Sequence, residues 1–311
     1  VKTLDKWEPS AKYSRLFLEI PAAGQQAKVF VNGEFVVSHE GGYSAFRADI
    51  TEKCTEEFNT IAIWCSNEKC DAIYPQSADF TFYGGLYRGA HLICVPETHF
   101  ELLHYGDLGI HAATEPASWD KEDFMLHIRT KICGVEKDNQ VIYQIFDEDG
   151  KEVASAARPA DSPDTSIPLY KPHRWDIKNS YQYTLKALIM RNNECLDEVE
   201  LKFGVRTFCC DPGRGFLING NCVPLRGVSR HQDKLYQGNA LTKEDHIRDA
   251  ELIEEIGANT VRLAHYQHAQ EFYDECDKRG FVVWAEIPFI SVMNEDPLAH
   301  ENCITQLKEL I

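Results

Sequence analysis

The chain has 311 residues, of which 43% are hydrophobic and 26% are charged, a composition typical of folded globular proteins. This length allows two or three domains of roughly 100–200 residues each. The net charge of -17 argues against nucleic acids and anionic membrane surfaces as partners, because both repel an acidic protein. A neutral or cationic partner, or an uncharged polar ligand, fits this charge better.

Two further features of the sequence concern the cellular compartment of the protein. The sequence has no apolar run of about 18 residues, and its opening VKTLDKWEPS lacks the apolar core of a signal peptide. Its eleven cysteines are scattered without a CxxC pair. We therefore expect a cytoplasmic protein, with thiols that are free and mostly buried.

The first two thirds of the chain show the pattern of short antiparallel strands. From about Lys12 to Val95 alternating segments are separated by turns, and Asn32-Gly33 between apolar residues predicts a tight hairpin. A second β-rich stretch, from about Glu97 to Thr207, predicts a smaller sandwich of immunoglobulin type. Within it, we interpret SPDTSIPLYKP as a proline-punctuated connection.

At about Cys209 the apolar period changes to that of helices. Thr242 and Asp245 are typical of a helix start, and Gly257 of its end, while a second helix is expected to stop at Gly280. ENCITQLKELI predicts a third. The short apolar segments CVPLRGVSRH, NTVRLAH and FVVWAEIP alternate with these helices, which predicts parallel strands.

Polar residues follow each of these three segments: His231 and Asp233, then His265, then Glu286. The carboxyl ends of parallel strands form the ligand-binding face of barrels and open α/β sheets. These side chains therefore predict a polar site on one rim, although His231 as a loop cap and His265 as a structural histidine remain alternatives.

Arg262 lies inside its segment and needs a carboxylate partner if it is buried, so a purely structural ion pair is one alternative. Glu286 fits a buried hydrogen-bonding acid or a metal ligand equally well. We expect His268 to begin the next helix and to be exposed.

The segments PLRGVSRHQD, NTVRLAHYQHAQEFYDECDKRG and FVVWAEIP resemble the start of the catalytic barrel of family 2 glycoside hydrolases, and most of all the β-galactosidases. The family's first signature is matched by Asn259, Arg262, His265, Tyr266, Asp277 and Gly280. Gln267 stands where proline is usual, and Leu263 is larger than the common residue. VFVNGEFV, HEGGYSAFRADIT and DFTFYGGLYRGAHL resemble the family's jelly roll, and KFGVRTF the end of its immunoglobulin-like domain.

The resemblance implies a multidomain β plus α/β architecture. Residues 1–97 would form a jelly-roll sandwich whose start is incomplete, and residues 98–207 an immunoglobulin-like sandwich. Residues 208–311 would form the first part of a (β/α)8 TIM barrel, which needs about 250 residues when complete.

The activity that the resemblance implies is that of a retaining β-galactosidase, which hydrolyses terminal β-D-galactosides through a glycosyl-enzyme intermediate. His231, His265, Asp79, Asp233 and Glu286 would bind the sugar. Arg262 would keep the nucleophile's carboxylate ionised, because a neighbouring cation lowers its pKa. An alternative for Asp79 is a turn-forming residue in a loop.

The acid/base and nucleophile glutamates of the family are expected beyond Ile311, so the 311 residues alone are predicted to be inactive. No metal ligand is assigned, and Mg²⁺ or Na⁺ is expected only as a cofactor of the full-length enzyme. The expected partner is a small-molecule sugar, with no nucleic acid or membrane, and the full-length enzyme is expected to be a homo-oligomer.

Several alternatives stay open. Within the family these are β-glucuronidase and β-mannosidase, although GVSRHQD and FTFYGGLYR favour galactose. A non-catalytic carbohydrate-binding relative is another. The last is a metal-dependent hydrolase barrel that uses His231, His265, His268 and Glu286.

Overall fold

The computed structural model describes residues 1–4, 8–10, 12–55, 57–75 and 77–311. Its first part contains the strands β1 (Lys2–Leu4), β2 (Arg15–Ile20), β3 (Gln26–Val31), β4 (Glu34–Glu40), β5 (Phe46–Asp49), β6 (Asn59–Ser66) and β7 (His91–Val95), with a short 3-10 helix at Thr51–Lys53. They form a pair of antiparallel sheets, with strand orders β1-β6-β3-β4 and β5-β2-β7.

One apolar core holds these two sheets together. Leu18 of β2 and Phe46 of β5 come from one sheet and Val29 of β3 from the other, and all three are buried in the same cluster. Asn32 and Gly33 both have left-handed backbones, with φ of 52° and 85°, which is the turn that lets β3 pair directly with β4. The predicted hairpin is therefore confirmed.

The second β region contains the strands β8 (His99–Phe100), β9 (Ile110–Pro116), β10 (Phe124–Thr130), β11 (Ile132–Cys133), β12 (Gln140–Phe146), β13 (Glu152–Pro159), β14 (Thr165–Leu169), β15 (Tyr183–Arg191) and β16 (Glu194–Phe203). They form a three-stranded sheet (β14-β10-β9), a four-stranded sheet (β13-β12-β15-β16) and the small pair β11-β8. Fully buried Leu126, Tyr143 and Leu185 of the two larger sheets meet in its core.

The interpretation of SPDTSIPLYKP as a connection was wrong, because β14 lies within it. Ile167 and Leu169 alternate with Ser166 and Pro168, and the two apolar side chains enter the core. β14 lies at the edge of its sheet, where a proline without an N–H is tolerated. Pro168 within the strand, and Pro163 and Pro172 beside it, hid the strand in the sequence.

The last third begins with a small antiparallel sheet of β17 (Phe208–Asp211), β18 (Gly215–Ile218) and β19 (Asn221–Cys222). A parallel sheet follows, made of β20 (Gly227–Arg230), β21 (Thr260–Leu263) and β22 (Val282–Ala285). The helices are α1 (Lys243–Glu255), α2 (Gln270–Arg279) and α3 (Pro297–Leu310). The predicted strand CVPLRGVSRH is thus divided, because Cys222 belongs to the antiparallel sheet.

The predicted helix boundaries are matched by capping contacts. Thr242 and Asp245 form a reciprocal capping box at the start of α1. Gly257 follows that helix, and Gly280 ends α2, with left-handed φ of 77° and 73°. Asp296 caps α3, which begins at Pro297 and therefore four residues before the predicted segment.

Contacts between the regions connect the helices of the last third to both β regions. From the first β region, the Nε2 atom of His39 lies 2.8 Å from Oε1 of Glu309 in α3. From the second, the indole N–H of Trp175 donates to the carbonyl of Asp277 in α2 at 2.8 Å. The architecture is therefore β-sandwich regions followed by the start of a β/α barrel, while the jelly-roll and immunoglobulin labels and the boundaries at 97 and 207 stay predictions.

The cysteine prediction was partly wrong. Only Cys276 and Cys303 are buried, and five of the other thiols belong to exposed residues: Cys94, Cys195, Cys209, Cys210 and Cys222. Three of these five lie in short strands of the antiparallel sheet at residues 208–222, which offers too little covering structure to bury them.

In the described part of the chain, none of the helices combines the length and the apolar character that crossing a bilayer requires.

Candidate active site

The register of the parallel sheet aligns the ends of its three strands. Arg230, Leu263 and Ala285 are the last strand residues and lie side by side across the sheet. The residues that follow, among them His231, His265 and Glu286, therefore emerge on one edge. Side chains at this edge can act on a single ligand.

The structure brings His231 and His265 together. Their ring centroids are 5.1 Å apart, in an edge-to-face arrangement. Phe80, from a loop of the first β region, lies 5.4 Å from His231 and 5.9 Å from His265. It also contacts Tyr266 at 5.4 Å, so this loop covers the strand ends of the barrel.

Arg262, Glu286 and His265 form a compact polar trio. The Nε and Nη2 atoms of Arg262 donate to the two carboxylate oxygens of Glu286 at 2.5 and 3.1 Å. The Nδ1 atom of His265 lies 3.0 Å from both Nη2 of Arg262 and Oε2 of Glu286. Either tautomer of the imidazole therefore finds a partner at Nδ1, which fixes the ring and leaves Nε2 for a ligand.

This trio identifies the carboxylate partner that Arg262 was expected to need. Its carboxylate partner in the structure is Glu286 of the neighbouring strand end, and the pair is bidentate. Its predicted contact with a catalytic nucleophile stays a prediction, while an arginine 43% exposed retains N–H groups that can reach a further acceptor.

His231 has the environment of a neutral imidazole with unused hydrogen-bonding capacity. Burial, reinforced by the neighbouring His265, lowers its pKa, and the carboxylates of Asp233 and Asp79 oppose this shift. Its Nδ1 atom is buried and has no hydrogen-bond partner among the described residues. Buried polar atoms without partners are uncommon in proteins, so this atom indicates a place for water or a ligand.

Both carboxylates near His231 are exposed at the rim. Asp233 follows β20 and accepts a hydrogen bond of 3.3 Å from the hydroxyl of Tyr83. Asp79 lies next to Phe80 in the covering loop and is close enough to His231 to affect its pKa. The structure therefore gathers all six predicted site residues around the same strand ends, and their roles in sugar binding stay predictions.

His268 does not belong to this group, and the expectation that it is exposed was wrong. It is 1% exposed and precedes α2, which begins at Gln270. Its Nδ1 accepts from Nη1 of Arg230 at 3.0 Å, and its Nε2 donates to the carbonyl of Ala264 at 3.2 Å. Burial and the Arg230 cation hold its pKa well below the ordinary value.

Arg230 is the centre of a buried network that was not predicted. Its guanidinium donates to Asp249 at 2.7 and 3.0 Å and to Nδ1 of His246 at 3.1 Å. It also lies 4.0 Å from the ring centroid of Phe272. Burial and this cation lower the pKa of His246 to about 4. The network joins β20 to α1 and α2 behind the strand ends.

Gln232 and Tyr43, the two residues that hold Tyr266 of the matched signature in place, were missed by the sequence analysis. The side-chain oxygen of buried Gln232 accepts from the backbone N–H of Ala269 at 2.6 Å, and the backbone N–H of Gln232 donates to the Tyr266 hydroxyl at 3.3 Å. The Tyr266 ring stacks on Tyr43 of the first β region with centroids 4.1 Å apart. Gln232 lies between two predicted site residues, which was the only available signal.

Among the described residues, the proposed metal set of His231, His265, His268 and Glu286 does not come together, because His268 is directed at Arg230. What the rim offers instead is a ring of hydrogen-bonding groups, namely two imidazoles, exposed carboxylates and an arginine, beside aromatic rings. Such a surface suits a polyhydroxylated ligand, whose hydroxyls bond to side chains while its C–H faces contact rings.

Comparison with known families agrees with this geometry. Residues 212–308 match the model described as "Glycosyl hydrolases family 2, TIM barrel domain", and residues 116–206 match "Glycosyl hydrolases family 2". The two matches lie in the part of the chain that contains the second β region and the parallel sheet.

The similar proteins include both β-glucuronidases and β-galactosidases. The chain is 34% identical to a β-glucuronidase of Bacteroides fragilis, over 91% of this chain and 42% of the relative. It is 31% identical to a β-galactosidase of Thermoanaerobacter pseudethanolicus, over 96% of this chain and 40% of the relative. The chain thus spans less than half the length of either protein.

A solved structure is more similar still. An FMN-binding β-glucuronidase from Faecalibacterium prausnitzii L2-6 superimposes with a TM-score of 0.96 at 48% identity. The superposition covers 99% of this chain and 48% of that protein.

Proposed function

Because the chain belongs to glycosyl hydrolase family 2, we propose that the full-length protein is a β-glycosidase and that this chain supplies one wall of its sugar-binding site. The single observation that supports the proposal most is the meeting of His231 and His265 at the ends of neighbouring parallel strands, with rings 5.1 Å apart. Asp79 and Phe80 would cover the same sugar from the first β region.

In this proposal the two imidazoles donate or accept hydrogen bonds at the sugar hydroxyls. Arg262 and Glu286 hold His265 in position through Nδ1. Bonds to hydroxyls that strengthen as the oxocarbenium-like transition state forms contribute to the rate. The two catalytic carboxyl groups of a retaining glycosidase are not assigned in this chain.

For the sugar, we place β-glucuronides first and β-galactosides second. The sequence motifs favoured galactose, but relatives of both names match, and the two with 48% and 34% identity are named β-glucuronidases. The rim offers a glucuronate carboxylate only the N–H groups that Arg262 retains beside its pair with Glu286. Further donors for that carboxylate would come from outside the strand ends described above.

The test is hydrolysis of paired aryl glycosides by the full-length protein. We expect release of the aryl alcohol from the β-glucuronide with a kcat/KM at least about tenfold above that for the β-galactoside, a difference of about 1.4 kcal/mol in transition-state binding. A higher kcat/KM for the β-galactoside would place β-galactosides first instead. If the protein hydrolyses neither of these two substrates nor the β-mannoside, the glycosidase proposal is wrong.

The 311 residues expressed alone are expected to show no turnover of either substrate, because the family's acid/base and nucleophile glutamates are proposed to lie outside them. The matched preparation is the full-length protein purified in the same way from a host that lacks its own β-glycosidases. Turnover by the 311-residue polypeptide would mean that carboxylates within it perform the chemistry.

A further inference from the structure

We propose that His104, Asp107 and His111 form a metal site for a divalent transition ion such as Zn²⁺. This His–Asp–His cluster lies in the loop between β8 and β9 and at the start of β9, outside the candidate active site. The proposal is independent of the glycosidase activity.

The geometry of the cluster is that of convergent ligands. Nδ1 of His104 lies 2.7 Å and Nε2 of His111 lies 2.9 Å from the same carboxylate oxygen, Oδ2 of Asp107. The three ligand atoms lie within 4.8 Å of one another. A tetrahedral Zn²⁺ with bonds of about 2.0–2.1 Å separates its ligand atoms by about 3.3 Å. The two contacts to Asp107 would open by about half an ångström each, and the two imidazole nitrogens, now within 4.8 Å of each other, would settle at about 3.3 Å.

The ligand types match the proposed ion. Two neutral imidazoles and one carboxylate are a common ligand set of zinc and of other first-row transition metals. The two imidazoles are 36% and 47% exposed on their side chains, so solvent reaches the cluster and can complete the coordination. An ion could also enter by this face.

The loop is held in shape around the carboxylate. The second oxygen of Asp107, Oδ1, accepts from the backbone N–H of Gly109 at 2.7 Å, which orients the carboxylate. Buried Arg47 of β5 donates to the backbone carbonyls of Asp107 and, at 3.1 Å, Leu102. Its charge is balanced by Glu19 at 2.8 Å, so it adds little repulsion toward a cation. Outer contacts of this kind support metal ligands.

Two glycines allow the loop to take this shape. Gly106 has a φ of 72°, and an added Cβ would lie 2.4 Å from the carbonyl oxygen of Ala45. Gly109 has a φ of 70°, and its Cβ would lie 2.7 Å from the backbone of Glu101. The conformation that brings the ligands together is thus fixed by the backbone before any ion binds.

The position of the cluster suggests what the ion would do. The loop contacts the first β region through Arg47, the second through His111 of β9, and α3 of the barrel through the bond between Tyr105 and Lys308 at 3.1 Å. An ion there would rigidify the loop that makes these contacts, because all three ligands lie within residues 104–111. Because it would bind the folded state, it should raise the thermal midpoint of unfolding.

The test uses full-length protein stripped with a chelator and titrated with Zn²⁺ by calorimetry and equilibrium dialysis. The variants are Asp107→Asn, which keeps the side-chain shape, and His111→Ala. The matched control is His127→Ala, which also removes an exposed imidazole paired with a carboxylate, Glu115 at 2.9 Å. Zinc bound elsewhere, for example at the exposed thiols of Cys209 and Cys210, is common to all variants and cancels.

We expect the wild type and His127→Ala to bind one more Zn²⁺ per chain than the two cluster variants, or to bind it at least about a hundredfold more tightly. Zn²⁺ should raise the thermal midpoint only in the first pair, and hydrolysis should be the same in all four proteins. Equal binding by wild type and Asp107→Asn would overturn the proposal. Should a variant fail to fold, anomalous diffraction from zinc-soaked wild-type crystals decides, since the absence of a peak between the three side chains would equally contradict it.

Discussion

Replacement of Glu286 by Gln tests the polar trio that fixes His265. The carboxylate accepts two bonds from Arg262, at 2.5 and 3.1 Å, and contacts Nδ1 of His265 at 3.0 Å. An amide has one acceptor oxygen in place of two, and its NH₂ group would face donors. At least one of the three contacts must therefore break, and the imidazole loses its charged acceptor.

The magnitude follows from the number of contacts and their exposure. A hydrogen bond to a charged group contributes about 1.5–3 kcal/mol when it is well shielded. Arg262 is 43% exposed, so water replaces part of what it loses, whereas Glu286 is only 16% exposed. We therefore expect the free energy of unfolding to fall by about 1–2 kcal/mol. A displaced catalytic or binding group costs up to about 100-fold in rate, and we expect kcat/KM to fall 10- to 100-fold.

The assays are denaturant unfolding and steady-state hydrolysis, both with full-length protein. Glu254→Gln is the matched control, because it makes the same change in a pair with Arg279 on an exposed face of α1, where Glu254 is 55% exposed. It should change stability by less than about 1 kcal/mol and leave kcat/KM unaltered. If Glu286→Gln resembles this control in both assays, the trio does not position His265.

Three further predictions concern the surroundings of the site. Arg230→Met should lower the free energy of unfolding by about 2–4 kcal/mol in chemical denaturation, because it removes the buried cation that bonds to Asp249, His246 and His268. Among the described residues, Asp249 would keep only Lys234, at 3.5 Å. Exposed Arg248→Met should cost less than about 1 kcal/mol, and equal losses would contradict the network. His246 is neutral when folded, with a pKa of about 4, so its contribution to stability is present above about pH 6.5 and is lost as the pH falls toward 4. His246→Gln, which keeps an acceptor for the guanidinium, should therefore lose less stability than the wild type between pH 7 and pH 4.5 in urea titrations, and an equal loss would refute this assignment. Phe80→Ala removes the ring that contacts both imidazoles of the site and should raise KM by at least about fivefold. It should lower the free energy of unfolding by only about 1–2 kcal/mol, because the ring is only partly buried. An unchanged KM would mean that the loop does not cover the sugar.

The sequence was most informative where local chemistry determines the structure. Thr242 and Asp245 form the predicted capping box, and Gly280 ends α2 in the left-handed conformation that favours glycine. The alternation of these helices with short apolar strands predicted the parallel sheet. From that sheet alone, His231 and His265 could be expected at one edge.

The misses have a different cause, because they depend on contacts between segments that are distant in the chain. β14 was overlooked because Pro168 and the prolines beside the strand suggested a loop, and only the edge position beside β10 makes Pro168 acceptable. His268 looked exposed, but the partner that buries it is Arg230, 38 residues earlier in the chain. The stacking of Tyr266 on Tyr43 joins two regions and leaves no trace in either segment.

The central claim, that His231 and His265 bind the sugar, is tested most directly by a structure of the full-length protein with a bound, non-hydrolysable monosaccharide inhibitor. We expect sugar hydroxyls within about 3.2 Å of a ring nitrogen of each histidine, beneath the loop that carries Asp79 and Phe80. A sugar bound with neither imidazole within hydrogen-bonding distance would contradict it.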